Sequence, residues 1–580
     1  MASAILSHLK RVPYLLAGLA ILALFIVACG EDATPEPTPT AATQAPATAA
    51  PTATPAPTPA PTTMAPEPQA VVDRVVVSIT PPSPQSTLFH KVWVEGSGPL
   101  RGMYETLIGF NRYTREYEGT RLATEWSMSP DGTKWTYKLR EGIPFHDGTE
   151  FTAKDVVFTW DLYANSMLSG SALMMEVIDD ESSFDIPNPH EITWNLNRPE
   201  ATIGIWTSDM FQWLNLSKDH WDKVGGEEGY AADPIGTGPF RFASFGENSH
   251  IAFERVEDHW RQTPEMNELD FRYVKEDATR VAMLLAEEAH MSDIPRNLIP
   301  QVTQEGYSEV YSTVPGFIVF LMFGGQYYYQ PPGWEDKFDP TSPLTKTDVR
   351  KALSLAIDRD EINRVFFDDK ADYATAFKIH PTDAAYNERW QPDPFDPDQA
   401  KELLIDAGYP NGFEVEFVAS KKPGLSEGPE ISETIAQYWR DIGVTVELKE
   451  IEYAEMLSMG RTWELQRHAR LEMHGFFSYE MSLTNNLKVT ATEDRARGGM
   501  FAHEVTDGLV RDIEFTVDPG ERLQKFRQLG DFLYDQRAIL PLYWVLPVAA
   551  YDDGIIAKYE SDFSNQGPTR HWEYAELVKR

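Results

Sequence analysis

The chain holds one cysteine, Cys29, which closes an apolar run near its first residue. No disulfide can therefore form in the rest of the chain, and whatever folds there is held by burial of apolar surface. From Val71 onward about 510 residues carry no low-complexity linker and no internal repeat, a length that exceeds one hydrophobic core and predicts at least two lobes.

Residues 1–28 read as a targeting segment. Lys10 and Arg11 supply a short positive end, Val12 to Ala28 is apolar, and the run stops at Ile26-Val27-Ala28-Cys29. An apolar stretch ending in small residues is the signal-peptide pattern. With cysteine in the last place it resembles the bacterial lipobox, in which cleavage leaves a diacylated cysteine as the new N-terminus. The alternative is an uncleaved anchor, for which a run of about 17 residues is short for a bilayer span. Both readings put the bulk of the chain outside the cytoplasm. Glu31 to Ala70 is dominated by Pro, Thr and Ala, with no Lys or Arg. It cannot bury enough surface to offset the entropy of ordering, so residues 29–70 are expected to be a lipidated cysteine followed by a disordered stalk.

The net charge of −38, from 51 basic and 89 acidic residues, argues against nucleic acid, whose binding needs basic patches. It equally disfavours docking of the folded body on an anionic membrane, leaving the lipid as the only membrane contact. A soluble, self-repelling acidic surface accounts for the charge.

Strand and helix patterns alternate along the body. Trp135, Tyr137 and Leu139 alternate after the Asp131-Gly132 turn, predicting a strand. Thr152 and Asp155 have capping-box spacing ahead of a helix with Val156, Val157, Trp160 and Tyr163 on its buried stripe. Val349, Ala352, Leu353, Ala356 and Ile357 recur at helical spacing, as do Ala400, Leu403, Leu404 and Ala407 before a stop at Gly408 and Pro410. A strand with Val415, Phe417 and Ala419 follows, then a helix with Ile431, Ile435, Tyr438, Trp439 and Ile442, then a strand with Val444, Val446 and Leu448. This alternation predicts an α/β body.

Catalytic motifs are missing. Cys29 belongs to the anchor, no HExxH pair occurs, and the histidines lack ligand spacing. Gly236-Thr237-Gly238-Pro239 lacks the lysine and glycine spacing of a phosphate loop and reads as a structural turn. The carboxylates are too numerous for any pair to stand out as acid and base. Aromatic residues make up 12% of the chain, with clusters at Phe317 to Tyr329, Phe476-Phe477-Ser478-Tyr479 and Tyr543-Trp544. Singly they read as core; together they suit a cleft that grips a ligand by apolar faces and a few polar tips.

One long stretch gathers these features. It runs Leu122-Ala123-Thr124-Glu125-Trp126, Ser129-Pro130-Asp131-Gly132, Trp135-Thr136-Tyr137-Lys138-Leu139-Arg140, Phe145-His146-Asp147-Gly148 and Phe151-Thr152-Ala153-Lys154-Asp155-Val156. With Tyr104-Glu105-Thr106-Leu107, Pro234 to Phe240, Asp348 to Leu353, Ala400 to Leu404, Ile442-Gly443-Val444 and Leu540-Pro541-Leu542-Tyr543, it resembles the family 5 extracellular solute-binding proteins of ABC importers. That is the peptide- and nickel-binding type, with oligopeptide- and dipeptide-binding relatives.

The resemblance implies a two-lobed periplasmic-binding-protein-like α/β fold (type II, cluster C) with an extra domain inserted in lobe 1. Lobe 1 would comprise 71–113, 233–315 and 540–580, the insert 114–232, and lobe 2 316–539. It implies a monomeric binding protein without catalysis, cofactor or metal, which closes on a small solute and hands it to ABC importer permease subunits. Peptide receptors of the family commonly carry an Asp-rich stretch in lobe 2. The corresponding Leu471 to Glu480 has no Asp-Tyr-Pro-Asp-Pro run, and Glu480 is the carboxylate taken as its nearest substitute. A sugar, an opine or another amphiphilic solute therefore stays open beside a peptide, and His474 is read as structural rather than metal-binding. The expected pocket residues are Phe476, Phe477, Tyr479 and Glu480 with the hinge aromatics Tyr327 and Trp544. An extracytoplasmic hydrolase or a signalling receptor on the same scaffold is the alternative.

Overall fold

Local signals become elements much as the side-chain chemistry dictates. In the computed structural model, Lys134–Leu139 is a strand with Trp135, Tyr137 and Leu139 turned inward. Asp131 Oδ1 ties the turn before it, accepting from the Thr133 backbone N–H at 3.1 Å and the Ser129 hydroxyl at 2.6 Å. The helix Ala153–Ala164 opens with the Asp155 carboxylate accepting the Thr152 backbone N–H at 2.9 Å, the returning half of a capping box. Val156, Trp160 and Tyr163 are buried on it, and Val157 is half-buried. The helices Thr347–Leu355, Pro397–Asp406 and Gly428–Asp441 and the strands Glu414–Ala419 and Thr445–Glu450 also fall where periodicity predicts.

The structure describes residues 70–579 apart from 71, 93, 112–113, 115, 167, 169–170, 212, 327, 329–338, 423, 462–463, 466, 476–500, 502 and 561–566. The targeting segment, Cys29 and nearly all of the stalk lie outside this range. Glu67–Arg580 forms one unit. Among the described residues no helix is long and apolar enough to cross a membrane.

Three sheets organise that unit. The first runs Ser308–Tyr311, Val548–Tyr551, Met291–Ser292, Arg74–Ile79, Glu268–Tyr273, His250–Arg255, Phe240–Gly246. Arg74–Ile79 pairs in parallel with both neighbours; the other pairings are antiparallel. The second runs Asp372–Tyr373, Ile539–Val545, Phe317–Phe323, His468–Gly475, Glu414–Ala419, Thr445–Glu450. An antiparallel four-stranded sheet (Ala123–Met128, Lys134–Leu139, Glu191–Asn195, Phe184–Asn188) lies in the chain segment between Arg74–Ile79 and Phe240–Gly246 of the first sheet.

Phe317–Phe323 is buried along its whole length and separates two cores. Phe317, Val319, Leu321 and Phe323 pack against the helices Thr347–Leu355 and Gly428–Asp441, whereas Ile318, Phe320 and Met322 join Phe377, Trp390 and Trp544 on the other side. Its antiparallel partner Ile539–Val545 belongs to the second sheet, and the chain returns to the first sheet through Leu546 and Pro547. The division drawn between Ile539 and Leu540 therefore falls at the start of this strand. A continuous apolar run does not reveal which sheet it joins.

The motif residues work mainly as fasteners. Gly236 and Gly238 lie so close to the Met103 carbonyl that an added Cβ would stand 2.0 and 2.7 Å from its oxygen. His146 clamps the same turn: its Nδ1 accepts the Gly236 N–H at 3.2 Å and its Nε2–H donates to the Gly238 carbonyl at 2.9 Å. That tautomer is the one in which both bonds form. Burial pushes the His146 pKa down to about 4, keeping the ring neutral. Beside it, the Thr237 hydroxyl donates to Glu105 at 3.2 Å, and Arg261 bridges Glu105 (2.9 Å) and Glu573 (3.0 Å). Burial works to raise the Glu573 pKa, but the Arg261 guanidinium prevails and holds it at about 2. The Gly236-Thr237-Gly238-Pro239 segment is thus a buried junction and not a phosphate loop.

Candidate functional site

The two larger sheets are joined by two short crossings, residues 312–316 and 546–547. They are tied together where the Ser312 N–H donates to the Pro547 carbonyl at 2.8 Å and the Gly316 N–H to the Val545 carbonyl at 3.1 Å. Phe317–Phe323 begins at this crossing; the strands that flank it, Ile539–Val545 and His468–Gly475, end beside it, because their pairings place Val545 and Gly475 opposite Phe317. Glu414–Ala419 runs parallel to His468–Gly475, so its carboxyl end points the same way. The carboxyl ends of parallel strands are where open α/β sheets present loops and helix N-termini to a ligand.

Alternation decides what the His468–Gly475 strand presents there. Ala469, Leu471 and Met473 join the helix-covered core, so Arg470, Glu472 and His474 project from the opposite face. Lys422, from the loop after Glu414–Ala419, reaches Glu472 at 2.5 Å; their side chains are 3% and 4% exposed. Arg470 Nε lies 3.5 Å and His474 Nε2 3.8 Å from the same carboxylate. Arg470 also touches the Met322 sulfur at 3.4 Å, and Lys378 donates to the Gly475 carbonyl at 3.0 Å. Burial pushes the Lys422 pKa down, with the adjacent Glu472 carboxylate working against it.

The surrounding wall is aromatic. The rings of Phe320 and His474 meet edge-on at 4.9 Å, Phe320 meets Phe377 at 5.0 Å, and Lys422 sits 5.0 Å over Tyr453. Trp544 is 1% exposed, with its ring edge-on to His380 at 5.2 Å. A charged, hydrogen-bonding floor beside apolar ring faces suits a small molecule with both polar and apolar parts.

A second buried ion pair spans the crossing. Arg296, in the short helix Arg296–Leu298 that follows the first sheet's Met291–Ser292 strand, places its guanidinium 5.9 Å from the Phe317 ring and 5.6 Å from Phe367. It stands 3.8 Å from Glu427, the residue ahead of the helix Gly428–Asp441, and donates to the Leu546 carbonyl. Burial lowers the Arg296 pKa and raises that of Glu427.

Of the pocket residues expected from the sequence, Trp544 stands in the core flanking this cluster. Tyr327, Phe476, Phe477, Tyr479 and Glu480 lie outside the described residues. Sequence reasoning passed over Lys422, Arg470 and Glu472. The signal was present in the Arg-Leu-Glu-Met-His alternation of residues 470–474, which sets three ionisable groups on one face of a strand. Among the described residues no group of three or more His, Cys, Asp or Glu side chains is arranged to hold a metal ion.

Comparison with known proteins adds the following. Residues 119–485 match the profile of the bacterial extracellular solute-binding proteins, family 5. The dipeptide-binding protein of Escherichia coli K12 is 25% identical over 462 residues, covering 76% of this chain and 83% of the relative. The heme-binding protein A of Haemophilus influenzae is 25% identical over 404 residues, covering 63% and 67%. Among solved structures, a periplasmic binding protein from Helicobacter pylori in complex with the peptide STSA superposes with a TM-score of 0.67 at 22% identity, covering 87% of this chain and 98% of that one.

Proposed function

Because the chain belongs to the bacterial extracellular solute-binding proteins of family 5, we propose that it is an extracytoplasmic receptor that holds a peptide-like, amphiphilic solute between two lobes and delivers it to an ABC importer. The first and second sheets form the cores of those lobes, the four-stranded sheet belongs to a domain inserted in the first, and residues 312–316 and 546–547 are the hinge. Cys29 carries the lipid that tethers the receptor, with the Pro/Thr/Ala-rich segment as its stalk. The receptor acts as a monomer, and its permease partners take the solute unchanged.

The buried cluster of Lys422, Arg470, Glu472 and His474 at the hinge-facing end of the second sheet carries this reading. Burying charges in water-poor surroundings is costly, and this charged, hydrogen-bonding floor stands beside aromatic rings, which favours a solute with polar groups and an apolar body. The relatives' printed ligands, a dipeptide and a heme, share that combination.

The test is to extract small molecules carried through native purification, identify them by mass spectrometry, and titrate them back by calorimetry. Saturable, stoichiometric binding with the solute recovered intact is expected. Turnover of the solute, or no binding of any recovered or candidate peptide-like compound, refutes the proposal.

A further inference from the structure

The inserted domain and the second lobe meet away from the hinge segments. In the insert, the turn Ser129-Pro130-Asp131-Gly132 and the segment Arg198-Pro199-Glu200 form one unit: the Glu200 N–H donates to the Gly132 carbonyl at 3.0 Å and the Trp135 indole to the Glu200 carbonyl at 2.9 Å. Arg198 is oriented by Glu176 at 3.2 Å and Glu200 at 3.3 Å. Opposite stands the corner between the helices Glu504–Phe515 and Pro519–Gln536. Asp518 caps the second helix through the Glu521 N–H at 2.8 Å, and Lys525 holds the Thr516 hydroxyl at 2.8 Å. Among the described residues, two contacts between the units stand out. The Arg198 guanidinium lies 5.3 Å over the Phe515 ring, and a Cβ on Gly132 would come within 2.6 Å of Val517 Cγ2.

Each partner is stiffened by its own hydrogen bonds, and between them lie a cation–ring pair and a methyl against a glycine. Phe515 keeps 49% of its surface in solvent even so. A ring left half in solvent is a weak clasp, relative motion is the default between domains of one chain, and the parts are placed to seat and unseat as rigid bodies about the hinge. We infer that this corner and this turn are a solute-independent closing seat, and that Arg198, Gly132, Phe515 and Val517 set how much of the empty receptor is shut. The inference rests on the two-lobed closure proposed above. It gives the inserted domain a role: to tune apparent affinity through the closed fraction, without touching the solute.

Small-angle scattering and amide hydrogen exchange on the solute-free protein test this directly. Phe515→Ala is expected to lower the closed-to-open ratio by about fivefold, the loss of one partly exposed cation–ring contact. The radius of gyration rises, and exchange accelerates together in 129–133 and 513–518. Val517→Ala shifts both readouts the same way, while Phe395→Ala, an equally exposed ring elsewhere, leaves them unchanged. Thermal melts at the wild-type temperature confirm intact folds. Unchanged scattering and exchange in both seat variants overturn the seat, whatever the outcome of solute capture. If the seat variants open the protein but no solute is ever bound, the seat stands and the receptor reading falls.

Discussion

Glu472 and Lys422, 50 positions apart in the chain, form an ion pair almost sealed from water at the end of the second sheet nearest the two crossings. Removing one partner leaves the other buried and unpaired. Glu472→Gln is expected to cost about 3–5 kcal/mol of unfolding free energy, measured by urea titration. The apolar double variant Lys422→Met with Glu472→Leu recovers most of that loss. A single variant with wild-type stability contradicts the burial described.

Acid should loosen the junction that His146 clamps. Its folded pKa of about 4 lies below the model-peptide value of 6.5, so between those values the unfolded chain binds the proton and the folded one resists it. The neutral ring's stabilisation is complete above pH 6.5 and is lost as the pH falls through about 4. Urea midpoints between pH 7 and pH 4 should fall more steeply for the wild type than for His146→Gln, which cannot titrate.

Gly236→Ala drives a Cβ to 2.0 Å from the Met103 carbonyl oxygen, a backbone atom that cannot swing aside. The variant is expected to lose at least about 3 kcal/mol or to accumulate unfolded. The control Gly508→Ala, in open space within the helix Glu504–Phe515, leaves the melting temperature unchanged or raises it slightly.

Solute capture should depend on the charged floor and its aromatic flank. With the solute recovered from native purification, Arg470→Met is expected to weaken an anionic ligand at least about tenfold, the loss of one charge-assisted contact, and a neutral analogue far less. Trp544→Ala, combined with Phe477→Ala at a position expected in the pocket from the sequence alone, weakens both alike. Calorimetric affinities unchanged in all of these variants place the pocket elsewhere.

Much of the scaffold is legible locally. The Asp131-Gly132 turn, the Thr152/Asp155 cap and the stop at Gly408 declare themselves within a few residues, because hydrogen bonds to neighbouring backbone set them. The charged face of Arg470, Glu472 and His474 is readable as alternation once that segment is known to be a strand. Its partner Lys422 is not, since only the parallel pairing of Glu414–Ala419 with His468–Gly475 brings it near. Arg296 and Glu427 escape for the same reason: they meet because two sheets abut at the crossings 312–316 and 546–547, which no local pattern encodes. The sheet switch after Val545 is equally hidden within a run of apolar residues.

Val548–Tyr551 sits between Ser308–Tyr311 and Met291–Ser292, although about 240 residues of other structure separate it from them in the chain. During export, where residues emerge in order, that slot stays vacant until nearly everything else has been threaded through. Two bare strand edges wait meanwhile, open to mispairing with a neighbouring nascent chain. The second sheet, already assembled, brings the missing strand home, so secretion yield should be most sensitive to whatever delays residues 317–545 in reaching their own native pairing.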